Sequence, residues 1–220
     1  MDPRSSLALS AIRLAAALLV AKVTAAVVVG YRDYLPPNFD SDFLFGRESY
    51  FWNGYHLAFY SHLASGPLSL LIGTLLISER FRAAAPRWHR SLGRLQVGCV
   101  LLLVAPSGLW MARYAATGAS AGAGLGALAI ATAVCITLGW RAAVARQFVV
   151  HRRWMWRTYL LLCSAVVIRL IGGLAKLTLF DAPWLYPLSA WGSWLAPLMV
   201  YECYLRCPPR RIKANLLART

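Results

Sequence analysis

The sequence predicts an all-α fold, a six-helix transmembrane bundle with both termini cytoplasmic, organised as a single integral membrane domain over residues 1–220. Three observations carry this expectation. Of the 220 residues, 59% are hydrophobic and only 14% charged, whereas a soluble globular chain averages about 25% charged. Six apolar runs each approach the ~20 residues that a membrane-crossing helix needs. The 23 Lys and Arg, set against 8 Asp and Glu, fall between those runs and concentrate at alternate connections. That arrangement excludes nucleic-acid binding as the origin of the +15 net charge, since the basic residues do not share one polar face. The apolar content excludes intrinsic disorder, and five scattered cysteines without paired spacing exclude a disulfide scaffold.

The runs cover about 7–30, 55–78, 92–113, 120–140, 154–179 and 184–205. The first exceeds a signal-peptide core and is interrupted by Arg13 and Lys22, so it reads as an uncleaved helix. Pro67, Pro106, Pro187 and Pro197 fall inside the runs, where neighbouring helices satisfy the freed carbonyls. Trp52 and Trp184 mark one interface and Trp88, Trp140, Trp154 and Trp156 the other. Arginines crowd the connections at 79–94 (Arg80, Arg82, Arg87, Arg90, Arg94) and 141–157 (Arg141, Arg146, Arg152, Arg153, Arg157). The tail adds Arg206, Arg210, Arg211, Lys213 and Arg219. The opposite side carries Arg32, Arg47, Arg113 and Lys176 beside Asp33, Asp40, Asp42, Glu48 and Asp181. The positive-inside rule therefore places the arginine-rich end in the cytoplasm. Cys99, Cys135 and Cys163 lie within the membrane and Cys203 and Cys207 near its reducing face, which argues against structural disulfides. Gly118, Gly122 and Gly126 let a neighbouring backbone approach closely, within the bundle in preference to a dimer seam. The basic turns before His89 and His151 hint at a parallel pseudo-repeat of two hairpins.

No P-loop, nucleophile elbow, His-Glu zinc helix or dinucleotide-binding glycine pattern is present. What remains is a set of ionisable groups at membrane depth, where they are costly. At a helix rise of ~1.5 Å per residue, Lys22, His62 and Arg169 all lie ~22–24 Å from the arginine-rich end. This outer basic layer has no carboxylate in the spans at its level. It reads either as a receptor for an anionic or electron-rich head (a haem propionate, a quinone carbonyl, a lipid phosphate) or as snorkelling cations beside a neutral histidine. Near the other face, Glu202 is the one carboxylate in a span, and Arg13, Arg94 and Arg157 reach its depth. A structural ion pair is expected there, with Arg157 taken as the partner.

His89 and His151 share a depth on different helices, so they suit axial ligation of one b-type haem, with Arg90 and Arg152 facing its propionates. They suit phosphate contacts equally, and no metal other than that haem iron is expected. His62 lies ~20 Å from either and cannot share the haem. The aromatic stretch from Tyr31 to Tyr55 reads as an interfacial segment lying on the outer leaflet, with a covering role over the basic layer as the alternative.

Several motifs occur in order. His62 precedes Gly66-Pro67. His89-Arg90-Ser91-Leu92-Gly93-Arg94 follows, and then His151-Arg152-Arg153-Trp154-Met155-Trp156-Arg157, with Arg169 in the same helix and Glu202 near the end of the last. Over roughly residues 55–205 this pattern resembles the DUF2306 family (domain of unknown function) of predicted prokaryotic multi-pass membrane proteins. Leu95 stands where that family usually has an aromatic residue. The resemblance implies a polytopic bundle in a bacterial inner (plasma) membrane and no particular reaction. A likeness to haem-bearing bundles such as cytochrome b561 is an analogy of fold alone. The expected function is a membrane protein with an intramembrane ligand or cofactor pocket, redox-linked if it performs chemistry through a haem or quinone. The alternatives are a non-enzymatic carrier or lipid-binding protein holding an anionic lipid, and an accessory subunit of a larger complex. Enzymatic activity and oligomeric state are left open by the sequence.

Overall fold

The computed structural model describes residues 3–115, 117–180 and 182–206. Asp181, Cys207 and the four basic residues of the tail beyond it lie outside that range. The chain is helical almost throughout, with α1 (Pro3–Val29), α2 (His56–Leu76), α3 (Pro86–Ala112), α4 (Ala119–Val144), α5 (Phe148–Leu177) and α6 (Leu185–Arg206). Among the described residues five segments are long and apolar enough to cross a membrane, and they take in α1 from Ser10 onward and all of α2 to α5. The sixth expected run forms α6, 22 residues long, but its Trp, Ser and Tyr content keeps it from matching the others in hydropathy.

The helices at the arginine-rich end begin earlier than the apolar runs. α3 starts at Pro86 and α5 at Phe148, so each enters the membrane through an amphipathic turn carrying His89 or His151. Pro86 suits this first position because its missing N–H would have no helical partner there. Within α3 the turn Val100–Val104 widens to a π-type turn just before Pro106. Pro106 has no N–H for the carbonyl four residues back and its ring crowds that carbonyl, and the wider turn relieves both.

α4 is the central helix, packed along α3, α5 and α6, while α1 packs mainly against α2 and the second half of α5 among the described residues. One apolar cluster joins Val20, Leu70, Cys99, Val104, Leu162 and Val166 across α1, α2, α3 and α5. Another joins Cys135, Leu161 and Trp194 across α4, α5 and α6. Large side chains such as Leu102 (76% exposed) and Val200 (71%) point outward, as a lipid-facing surface requires.

The glycines of α4 lie in close helix–helix contacts within the bundle. A Cβ on Gly122 would stand 2.6 Å from the Ala112 carbonyl oxygen at the end of α3. A Cβ on Gly124 would meet the Trp191 indole at 3.0 Å, and one on Gly139 would collide with Met155. Gly118 instead starts the helix, at φ +87°. The two contacts at Gly122 and Gly139 differ in kind, because a carbonyl is fixed by its helix whereas the end of Met155 can swing aside. Gly122→Ala is therefore expected to cost about 1–3 kcal/mol. A lower thermal midpoint in detergent would show this, with Gly139→Ala clearly milder. Equal losses would show that the α3–α4 contact is no tighter than its neighbours.

Candidate functional site: the capped outer end

The end of the bundle opposite the arginines is closed by residues 34–55, in contrast to the interfacial segment expected from the sequence. Leu44, Phe51, Tyr55 and Phe59 are buried there, with Tyr34, Phe39, Phe43, Tyr50, Tyr60, Met111 and Tyr114 packed around them. Gly54, at φ +95°, turns the chain from this cap into α2, a backbone region that glycine occupies without steric cost.

Arg47 holds the cap together. Only 7% of it is exposed. Its Nε donates to the Phe43 carbonyl at 2.6 Å, and Nη1 donates to the Tyr114 carbonyl at 2.6 Å and to the Tyr50 hydroxyl at 3.0 Å. The guanidinium also lies 4.7 Å above the Phe43 ring and 5.8 Å from that of Tyr55. A charged group can be buried this way because three acceptors and two π faces replace its water. The segment folds down because the aromatic area it buries and these bonds outweigh what the headgroup region offers. At its rim Asp42 accepts from Lys176 at 2.5 Å. The ammonium holds the Asp42 carboxyl below the usual carboxylate range. This surface link is present at neutral pH and is lost as pH falls through that lowered value.

Beneath the cap, His62 on α2 faces Ser107 on α3 at 3.0 Å. Ser107 Oγ lies 2.5 Å from the Leu103 carbonyl. A serine has one hydroxyl proton, and this contact takes it. Oγ must then accept from His62 Nδ1–H, which leaves Nε2 as the nitrogen with a lone pair. Gly66 and Gly108 flank the ring, and a Cβ on Gly108 would come within 3.3 Å of it.

Arg169 on α5 lies within electrostatic reach of His62 and of Tyr31, Tyr34 and Tyr186. It donates to the Ala165 carbonyl of its own helix at 2.9 Å, and among the described residues it has no carboxylate partner. One of these phenols is tied to the backbone, and the main chain of a second is held by a neighbouring phenol. Tyr31 donates to the Leu63 carbonyl and Tyr60 to the Tyr34 carbonyl. Lys22, the third member of the expected layer, is exposed on α1, and no described contact joins it to the other two.

Below His62 a polar seam continues between α2 and α3. Ser69 donates to Cys99 at 3.2 Å, and Gln96 Nε2 donates to the Ser69 carbonyl at 3.0 Å. Gln96 Oε1 is buried without a described partner. Further down, Thr74 and Tyr159 share a hydrogen bond at 3.2 Å.

At the arginine-rich end, Arg157 Nε donates to Glu202 Oε1 at 2.5 Å and Nη2 donates to Oε2 at 3.0 Å. Trp154 lies under the guanidinium at 4.4 Å. His151 Nδ1 donates to the Gly139 carbonyl at 2.9 Å. His89 lies within electrostatic reach of His151, and its Nδ1 has no described partner. Arg152 is paired with Glu79 at 3.2 Å, while Arg90 is exposed. The described residues hold no cluster of three metal-ligating side chains.

Sequence reasoning missed Arg47 and Ser107. The signal for Arg47 was present, because it is the one cation of residues 34–55, an aromatic-rich stretch, and aromatic faces bind cations. Ser107 carried no such signal, since its role follows only from the angle at which α3 meets α2.

The bidentate pair gives a direct prediction. Removing one charge leaves the other unmatched, and partial exposure keeps the cost below the 3–5 kcal/mol of a fully buried pair. Glu202→Gln is expected to lose about 1–3 kcal/mol of detergent-solution stability, and adding Arg157→Gln should recover part of it. Additive losses in the double variant would mean that the two side chains act independently.

No curated protein and no solved structure matches the chain. The model of one family, described as a predicted membrane protein, matches residues 59–205. That stretch takes in α2 from Phe59 onward, α3 to α5 and nearly all of α6, and with them His62, Ser107, Arg169 and the Arg157–Glu202 pair. On this match over more than half of its length, the chain belongs to the DUF2306 family of predicted membrane proteins.

Proposed function

We propose that this protein holds a membrane-dissolved amphiphile by its head group at the capped end of the bundle, between His62 and Arg169. The observation that carries the reading is complementary hydrogen-bonding capacity at one end of the bundle. Arg169 is a cation without a described carboxylate, and His62 offers an acceptor nitrogen because Ser107 has fixed its proton on the other side. A head that both accepts and donates suits such a pair. A quinol is the redox-linked case, and a protonated acidic lipid is the non-redox case. Arg169 is exposed on the bundle surface, so a ligand can arrive sideways from the bilayer while the cap shields the site from water. A low-dielectric setting of this kind strengthens a charge-assisted hydrogen bond.

The b-type haem reading of His89 and His151 draws less support. His151 is oriented by a backbone carbonyl in the manner of an axial ligand. The arginine expected at a propionate, Arg152, is instead committed to Glu79. The setting proposed for the protein is a bacterial inner membrane, with the whole chain forming one membrane domain, α6 as the sixth span and both termini cytoplasmic.

Mass spectrometry of the amphiphiles that co-purify in mild detergent tests the reading. A charge-assisted hydrogen bond is worth about 1.5–3 kcal/mol. Arg169→Gln and His62→Ala are therefore each expected to lower the bound ligand roughly tenfold or more, while Lys22→Gln leaves it unchanged. Identical extracts from wild type and Arg169→Gln would overturn the site. A Soret band lost in His151→Ala but kept in His62→Ala would transfer the function to the inner histidines.

A further inference from the structure

A second feature lies at the arginine-rich end, on the outer surface of the bundle between α3 and α4. A groove of about 420 Å³ runs there, lined by Arg94, Val97, Gly98, Leu101 and Leu102 of α3 and by Thr137, Trp140 and Arg141 of α4. The α3 residues follow the three- and four-residue spacing of one helix face. From Arg94 to Leu102 that face extends ~12 Å, close to the ~15 Å depth of one leaflet's hydrocarbon. A Cβ on Gly98 would meet nothing within 4 Å, so the floor of the groove is open at its middle. Thr137 donates to the Ala133 carbonyl of its own helix at 2.8 Å, so the wall shows an acyl chain no unpaired hydroxyl.

The charge at the mouth is uncompensated. The described carboxylates of this end are Glu79 and Glu202, and they are taken by Arg152 and Arg157. Arg94 and Arg141 are exposed and have no ion pair among the described residues. Trp140 stands beside them at the level where indoles meet headgroups.

We propose that this groove binds an anionic glycerophospholipid from the leaflet at the arginine-rich end. Its phosphate lies between Arg94 and Arg141, and one acyl chain runs past Gly98 to Leu102. A zwitterionic lipid brings its own cation to the same place and gains less from the two guanidiniums. Each basic residue at an anionic surface is worth roughly fivefold in affinity, so the pair favours the anionic lipid by about thirtyfold.

Native mass spectrometry of the full chain, released from mixed phosphatidylglycerol and phosphatidylcholine micelles, tests this. One phosphatidylglycerol should be retained over phosphatidylcholine by about thirtyfold, and inorganic phosphate should not displace it. Gly98→Leu fills the floor without touching either charge and should abolish retention while leaving the melting temperature near that of wild type. Arg94→Gln with Arg141→Gln keeps the groove and should make the two lipids equal, which reads the headgroup independently if Gly98→Leu folds poorly. Equal retention of the two lipids by wild type would overturn the proposal. Full phosphatidylglycerol retention by a folded Gly98→Leu variant would overturn it too, reducing the effect to surface charge.

Discussion

Inside a bilayer no water is available to complete a hydrogen bond, so a polar group left without a partner in the protein is costly. This constraint organises the bundle. Many hydroxyls in the spans turn back on their own helices, as Thr24 does to the Val20 carbonyl at 2.7 Å and Thr132 to the Leu128 carbonyl at 2.7 Å. Groups too large for that solution bridge helices. Gln96 reaches Ser69, His62 reaches Ser107, and Arg157 reaches Glu202. Apolar packing is non-directional and acts weakly between helices surrounded by lipid. The polar bridges thus fix which helix faces which, and packing of the α4 glycines fixes how closely.

Arg47 is the most demanding case of the same rule, and its solution shapes the proposed site. A guanidinium cannot turn back on a helix, so the chain around it folds until carbonyls and aromatic rings surround it. The resulting cap packs on Phe59, Tyr60 and Leu63 beside His62 in sequence and places Tyr34 within electrostatic reach of Arg169. The two ends of the molecule solve opposite problems. At the arginine-rich end, paired carboxylates consume some cations and leave Arg94 and Arg141 exposed without an ion pair among the described residues. At the capped end, the buried cation is satisfied internally, and the acids of the loop remain at the rim.

The helices and the sidedness of the arginines were legible in the sequence, because length, hydropathy and charge asymmetry are properties of single segments. Rise per residue set His62 and Arg169 at one expected depth, and the fold brings the two within electrostatic reach. Angle was not legible. Lys22 was expected at the same depth, yet it is exposed on α1, and no helical periodicity in that largely apolar helix marks an inner face. The conformation of residues 34–55 was also out of reach, because its partners Tyr114 and Met111 lie some 60 residues away in sequence. An aromatic segment without regular alternation gives the same reading whether it lies on a leaflet or folds into a core.

The central claim is that Arg47 holds the cap closed over the outer end. Amide hydrogen exchange in detergent, followed across residues 41–55 in wild type and Arg47→Gln, tests this most directly. The amides of Phe45, Arg47 and Phe51 donate to the carbonyls of Ser41, Leu44 and Arg47, so the account predicts slow exchange in wild type. It predicts loss of that protection in the variant, with α4 and α5 unchanged. Rapid exchange of these amides in wild type, or equal protection in both proteins, would contradict it.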